Sequence, residues 1–289
     1  MPKTIVITGA TSGIGMYTAI GLAQTRATVV VIGRDEARGK TGVASIQRAS
    51  GSEDVHLVVG DLASLAEVAK LADAIRARCP RIDVLINNAG SAANAYSTTS
   101  DGLEFDFGVN VAAPYALTRA LLPALEAAKP ARVINVTGGS ARGAVDMGNL
   151  GAEKGFVGLT VYDNSKRAME AMSLALAVEF APRGVFVNVV YPGQASTSMT
   201  RSMALGSFPW WMRPFFPLWR WMTADDGGTG AEKASRSSVW AAKAPDLEGV
   251  SGAYFGTDCR RAELHATVRD PANQQQIVGL IERASGARG

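Results

Sequence analysis

Thr4-Ile5-Val6-Ile7-Thr8-Gly9-Ala10-Thr11-Ser12-Gly13-Ile14-Gly15 decides how the rest of this 289-residue chain is read. A short β-branched run that ends in glycines predicts a strand passing directly into a helix. Gly9, Gly13 and Gly15 stand with three residues and then one residue between them, a looser spacing than G-x-G-x-x-G. In such a junction one glycine permits the tight turn. Another lets the backbone approach a pyrophosphate, and a third lets the helix lie close to the sheet, with phosphate at the helix N-terminus. Gly9, Thr11, Ser12, Gly13, Ile14 and Gly15 are therefore the candidate dinucleotide contacts, and a plain glycine-rich connection is the competing reading.

Working outward, apolar runs recur at 28–32, 55–59, 84–86, 132–136 and 185–191, each bounded by Gly, Asn or Asp and followed by a helical pattern. Continuous runs of this kind read as strands buried on both faces, and their alternation with helices predicts a doubly wound parallel sheet of the Rossmann type with helices on both faces. A further strand at 252–255, after a helix at 232–244, would close the sheet. The whole of 1–289 reads as one α/β domain. The stretch 198–230 breaks the rhythm with aromatics, Met, Pro and Gly. Because ligands bind outside the carboxyl ends of the strands, it reads as a substrate lid.

Composition narrows the function. A net charge of +3 with scattered basic residues gives no stripe for nucleic acid. Cys79, Cys259, His56 and His265 are isolated in sequence, so neither a disulfide framework nor a metal site is expected. Met1-Pro2-Lys3-Thr4 leads into an apolar run too short for a signal peptide, and no segment reaches the roughly 20 apolar residues of a membrane span, so the expected location is the cytoplasm.

Tyr162-Asp163-Asn164-Ser165-Lys166 places a phenol and an ammonium four residues apart, on one face of a helix. A cation beside a phenol favours its ionised form. The expectation is a Tyr162 pKa lowered toward working pH, and a proton donor and acceptor for hydride chemistry on a carbonyl or alcohol. The second strand ends at Ile32-Gly33-Arg34, where an NAD-binding fold places an acid on the ribose 2′-hydroxyl. Arg34 there would pair with a 2′-phosphate, so NADP(H) is expected over NAD(H). The alternative is a solvated Arg34 with Asp35 on the ribose.

Thr8-Gly-x-x-x-Gly-Ile-Gly15, Asn87-Asn88-Ala89-Gly90, Asn110, Tyr162-x-x-x-Lys166 and Pro192-Gly193 together resemble the ordered motifs of the short-chain dehydrogenase/reductase family, over nearly the whole chain. The segment 247–255, followed by Asp258-Cys259, and the Glu153-Lys154 pair resemble its retinol-dehydrogenase-like branch. The resemblance implies that Asp61 and Leu62 contact the adenine, with a helix-capping Asp61 as the plainer reading. It implies that Asn88, Ala89 and Gly90 approach the cofactor ribose, where a purely structural turn is the alternative. Asn110 would hold a water linking Lys166 to solvent, and Lys166 would contact the nicotinamide ribose. Pro192, Gly193, Ala195 and Thr197 would orient the nicotinamide amide, as in the family's P-G-x-x-x-T. One member of the pattern is missing. The family's site serine falls at Gly138 in Asn135-Val136-Thr137-Gly138-Gly139-Ser140. Strand parity makes Ser140 the substitute, with Thr137, a water or a backbone amide left open. The missing hydroxyl keeps a second reading alive, an NADPH-binding sensor or scaffold with little catalysis.

The stretch 208–222 holds four of the chain's five tryptophans. It suggests a bulky apolar carbonyl or alcohol substrate. A peripheral membrane contact and a homo-oligomer interface compete for the same side chains, and the prolines there argue against one long amphipathic helix.

Overall fold

The computed structural model describes residues 2–138, 141–193, 195, 201–224 and 227–286. The β-branched runs form strands where expected: β1 (Thr4–Thr8), β2 (Thr28–Gly33), β3 (Val55–Val59), β4 (Val84–Asn87), β5 (Ala131–Val136) and β6 (Val185–Val190). With β7 (Tyr254–Phe255) and β8 (Arg261–Ala262) they make one sheet in the order β3-β2-β1-β4-β5-β6-β7-β8. The pairs from β3 to β7 are parallel, and β8 alone runs antiparallel.

The alternation of side chains explains why the central strands carry no polar face. Ile5, Ile7, Val29, Val31 and Ile86 enter one apolar cluster, whereas Val6, Val30 and Leu85 enter the other. Helices α1 (Gly13–Ala23) and α2 (Glu36–Ser50) cover the first cluster through Ala19, Leu22 and Ile46. On the opposite face, α3 (Leu65–Arg78) contributes Leu71 and Ile75. There follow α4 (Phe105–Phe107), a π-helical turn (Gly108–Ala112), α5 (Ala113–Ala120), α6 (Leu122–Glu126) and α7 (Gly158–Phe180). Burial of whole apolar side chains on both faces, at about 25 cal/mol per Å², is the main force holding these layers.

Past β6, the chain forms α8 (Phe216–Met222), α9 (Thr229–Lys243), α10 (Ala266–Arg269) and α11 (Pro271–Ala284). Helix α9 lies over the first cluster through Ala241 and Ala242, and α11 over the second through Ile277 and Ile281. Three details differ from the sequence reading. The helical stretch after β4 is interrupted by the π turn, the strand expected at 252–255 keeps only its last two residues because Gly252 turns at φ 74°, and β8 has two exposed residues with no apolar alternation to read. Strand order reverses between β1 and β4, which opens a crevice at their carboxyl ends.

Candidate active site

At this crevice the ends of β1 and β4 are locked together. Thr8 Oγ1 accepts from the backbone N–H of Asn88 and of Ala89, both at 3.0 Å, while Asn88 Nδ2 donates to the carbonyls of Thr8 and Gly9. Gly9 and Gly13 turn at φ 64° and 57°, and a Cβ on Gly9 would lie 2.8 Å from Ala89 Cα. A Cβ on Gly15 would overlap Asn88 Nδ2 and the Gly9 carbonyl, so Gly15 is the glycine that brings α1 down onto the sheet. Asn88 thus serves the junction with its amide, and Ala89 and Gly90 complete the wall beside it.

Helix α1 starts differently from its neighbours. Asp35 caps α2 by accepting from Arg38 N, and Ser64 caps α3 by accepting from Glu67 N. Ser12 at the start of α1 makes no side-chain cap, and the first turn carries no acid. Its leading amides therefore face a cleft of about 1690 Å³, lined by Gly9, Thr11, Ser12, Gly13, Ile14 and Gly15. An uncapped, acid-free helix start meeting a long cleft fits a pyrophosphate, and these residues fit a dinucleotide.

The same cleft runs past Gly33, Arg34, Asp61 and Leu62. Arg38, one turn into α2, also lines it and was not singled out from sequence; its distance of four residues from Arg34 was the available signal. Asp35 has its carboxyl on the α2 cap. Asp61 does not cap α3. It accepts from Ala63 N at 2.9 Å within the preceding turn, because Ser64 already holds the cap position.

At the other end of the cleft, α7 presents Tyr162 and Lys166, with the Lys166 Nζ 5.9 Å from the centroid of the Tyr162 ring. Lys166 is buried and donates to the Val136 carbonyl at 3.2 Å. Asn110, on the π turn, is fully buried. Its Nδ2 donates to the Ser91 carbonyl and to Ser165 Oγ, and its Oδ1 accepts from Ser91 N. Gly90 sits between the two groups, and a Cβ there would lie 3.1 Å from Lys166 Nζ and 3.2 Å from Asn110 Oδ1. Asp106, one turn before Asn110, was missed from sequence although the i, i+4 spacing points to it. Its carboxylate accepts from Ser91 Oγ at 2.7 Å and from Ala93 N, and its charge acts on Lys166.

Gly138 is where the sequence pattern failed, and the structure gives a steric reason. A Cβ at Gly138 would overlap the Tyr162 hydroxyl, so the phenol occupies the space a serine side chain would enter. Thr137 is buried and its hydroxyl donates to Glu170 Oε1 at 2.6 Å, directed at α7. Pro192, Gly193 and Ala195 line the far wall, next to Tyr191. Ser140 and Thr197 lie outside the described residues.

The expected lowering of the Tyr162 pKa is corrected by its surroundings. The ring borders the cleft, yet enough protein encloses the phenol that burial pushes its pKa well above the ordinary range, with Asp163, Asp106 and Tyr191 acting in the same direction. Burial also pushes Lys166 down to about 8, against the opposing pull of Asp106 and Glu170. For both groups the loss of water is the largest influence.

Part of the stretch read as a lid lines one side. Ser202, Met203, Met212, Trp219 and Thr223 line the cleft. Phe208 is buried and meets Phe216 and Trp219 edge-on at 5.3 and 5.4 Å. Asn94, from the loop after β4, ties the lid base by bonding Ser202 O, Ala204 N and Ser207 Oγ.

Comparisons with known proteins agree with this architecture. The short chain dehydrogenase family model matches residues 3–206. Retinol dehydrogenase 14 of Mus musculus is 34% identical over 97% of this chain and 85% of its own length. Polyprenol dehydrogenase of Mus musculus is 36% identical over 99% of this chain and 85% of its own. Among solved structures, an uncharacterized protein from Mycobacterium paratuberculosis superposes with a TM-score of 0.73 at 24% identity, covering 99% of this chain and 96% of that one. A short chain dehydrogenase from Shigella flexneri complexed with NADP gives 0.64 at 25% identity, over 89% of this chain and 97% of that one. With its uncapped α1, its Tyr162 and Lys166 on one helix face and this likeness along its length, the chain belongs to the short-chain dehydrogenase/reductase family of nicotinamide-dependent oxidoreductases, in its retinol-dehydrogenase-like branch.

Proposed function

We propose that this protein transfers a hydride between NADP(H) and the carbonyl or alcohol of a bulky apolar substrate, with Tyr162 as general acid and base. The observation that carries the reading is the Tyr162 hydroxyl set against Gly138, beside Lys166, in one cleft with the uncapped start of α1. Nicotinamide, when bound, supplies or accepts the hydride. In reduction, the Tyr162 O–H donates its proton to the substrate oxygen. A phenol held neutral by burial is in the form this step needs. In oxidation the same oxygen takes the alcohol proton, and the Lys166 ammonium favours the phenolate that does so. Lys166 would return the proton to solvent through a water held near Asn110, the two side chains lying either side of Gly90.

Preference for NADP(H) is supported by Arg34 and Arg38 along the adenosine end, where Asp35 also lines the cleft with one carboxyl oxygen on the α2 cap. The test follows oxidation of NADPH and NADH with a panel of apolar ketones and aldehydes, in the parent and in Tyr162→Phe. Turnover with NADPH that disappears in the variant is expected. Tight NADPH binding with no turnover across the panel would instead favour a sensor or scaffold, the reading that the hydroxyl-free Gly138 keeps open.

The lid supports a substrate drawn from lipid. Six of the nine exposed large apolar side chains among the described residues fall at Leu205, Trp210, Trp211, Phe215, Leu218 and Trp221. Arg213 and Arg220 are exposed among them, and 201–224 contains no acid before Asp225-Asp226. Aromatic side chains with flanking cations suit the surface of an anionic bilayer. The contact this patch suits is peripheral, and no helix of the described residues is long and apolar enough to cross a membrane. Sedimentation with anionic vesicles, lost in Trp210→Ser/Trp221→Ser, is the expected result; a dimer that the same variant dissociates would assign the patch to a second copy.

A further inference from the structure

The helix face bearing Tyr162 and Lys166 extends one turn further, to Glu170, which has no exposed surface. Opposite this face lies the end of β5, where three consecutive residues are each met by one of these side chains. Lys166 Nζ donates to the Val136 carbonyl at 3.2 Å, Thr137 Oγ1 donates to Glu170 Oε1 at 2.6 Å, and the Tyr162 hydroxyl fills the Cβ position of Gly138. The second oxygen of Glu170, Oε2, has no hydrogen-bond partner among the described residues. Packing alone does not account for a carboxyl here, since burying it with one oxygen unpaired is costly and an apolar residue would avoid that cost.

Its electrical surroundings give it a use. Lys166 and Arg167 on α7 attract its charge and Asp163 opposes it; Thr137 faces it from β5, and Tyr254 on β7 also feels it. Lys166 is in turn acted on by two buried carboxyl groups, Asp106 from α4 and Glu170. We propose that Glu170 is a positioning residue of the active site: its carboxyl fixes Thr137, and with it the strand end beneath the Tyr162 hydroxyl, while its charge keeps Lys166 protonated. Burial pushes Glu170 up to about 7 and Lys166 down to about 8, so both titrate near neutral pH. At lower pH Glu170 takes up a proton and Lys166 loses a counter-charge; at higher pH Lys166 loses its own proton.

This inference rests on Lys166 as a working cation, so its test reads that group directly and needs no turnover. The chain has eight lysines. With ¹³C at lysine Cε, the resonance missing from Lys166→Met identifies Lys166, and its shift is followed in the full chain from about pH 5 to about pH 11. In the parent protein a main step and a smaller one, where Glu170 ionises, are expected. Glu170→Gln keeps an acceptor for Thr137 but no charge; it should remove the small step and move the main one about one pH unit toward acid. Thr137→Val should leave the main step within a few tenths of a unit, and Glu170→Asp should restore part of the shift. A Lys166 titration unmoved in Glu170→Gln, with loss of Tm matching that of Thr137→Val, would reduce Glu170 to a packing role. If Glu170→Gln does not fold, a single Lys166 step in the parent protein overturns the proposal equally. An intact titration shift in a protein that turns nothing over would sink the dehydrogenase reading and leave this one standing.

Discussion

Along the nucleotide rim of the cleft, glycine backbone makes the close contacts: Gly9 lies under Ala89, Gly15 under the Asn88 side-chain amide and the Gly9 carbonyl, and the first amides of α1 have no side-chain cap. Along the substrate rim, side chains do the work: the Tyr162 phenol lies over Gly138, and Trp219 and Met212 reach in from a lid built of short helical turns. A rim made of backbone tolerates almost no added atom. A rim made of side chains can be refitted one residue at a time, which is how a family serine can be absent while the phenol and ammonium remain. The comparison predicts that substitutions at the first rim change cofactor binding and stability, whereas those at the second change turnover and substrate choice.

The largest effect should come from Tyr162→Phe, which removes one oxygen from the substrate rim. Loss of a positioned proton donor costs roughly 10² to 10⁴ in rate, while NADPH binding, followed by its fluorescence, should remain. Reductive turnover of the parent should fall as pH rises through about 8, because Lys166 is protonated below that value and neutral above it. A profile flat through this region would separate Lys166 from the rate.

Gly138→Ser tests the steric half of the comparison. Were the missing hydroxyl simply a deficit, restoring it would raise kcat. The overlap with the Tyr162 hydroxyl predicts the opposite, a fall of about tenfold to hundredfold as the phenol is displaced from a reacting position. On the nucleotide rim, Gly15→Ala should cost about 1–3 kcal/mol of stability by overpacking and weaken NADPH binding, read as a lower Tm and a higher Kd. Arg34→Ala/Arg38→Ala should raise the KM for NADPH by roughly tenfold or more, the scale of charge-assisted hydrogen bonds, with little change for NADH. An equal loss for both cofactors would assign these arginines to something other than a 2′-phosphate.

The difference between the rims also explains what could be read from the sequence. Strands at 4–8 and 55–59 were legible because a β-branched run bounded by turn residues has few other folds open to it. Gly9, Gly13 and Gly15 were legible because only glycine meets their geometric demands. Glu170 and Asn94 were not, since each acquires its role from a partner or a surface distant along the chain: Glu170 from Thr137, Asn94 from the lid base. The spacing of Tyr162 and Lys166 gave their proximity but misjudged the phenol's acidity, because sequence spacing carries the Coulomb attraction and says nothing of the water that both groups lose. The π turn carrying Asn110 left no mark on an otherwise helical apolar pattern.

The smallest expected effect lies where the lid joins the body. Asn94 is exposed, and its three hydrogen bonds to Ser202 O, Ala204 N and Ser207 Oγ hold the lid base beside Gly158, whose position is itself fixed by contact with Ala93 and Ser207. Exposed neutral hydrogen bonds contribute about 0.5–1.5 kcal/mol each at most, so Asn94→Ala should barely change Tm. It should instead let the Phe208–Trp219 side of the lid move relative to the cleft. A bulky substrate that uses that wall should then show a several-fold higher KM with kcat nearly unchanged, while a small ketone that reaches only Tyr162 should show neither change. Equal losses for large and small substrates would mean that Asn94 acts through the helix start at Gly158, and that the substrate rim is braced from within α7 rather than by the lid.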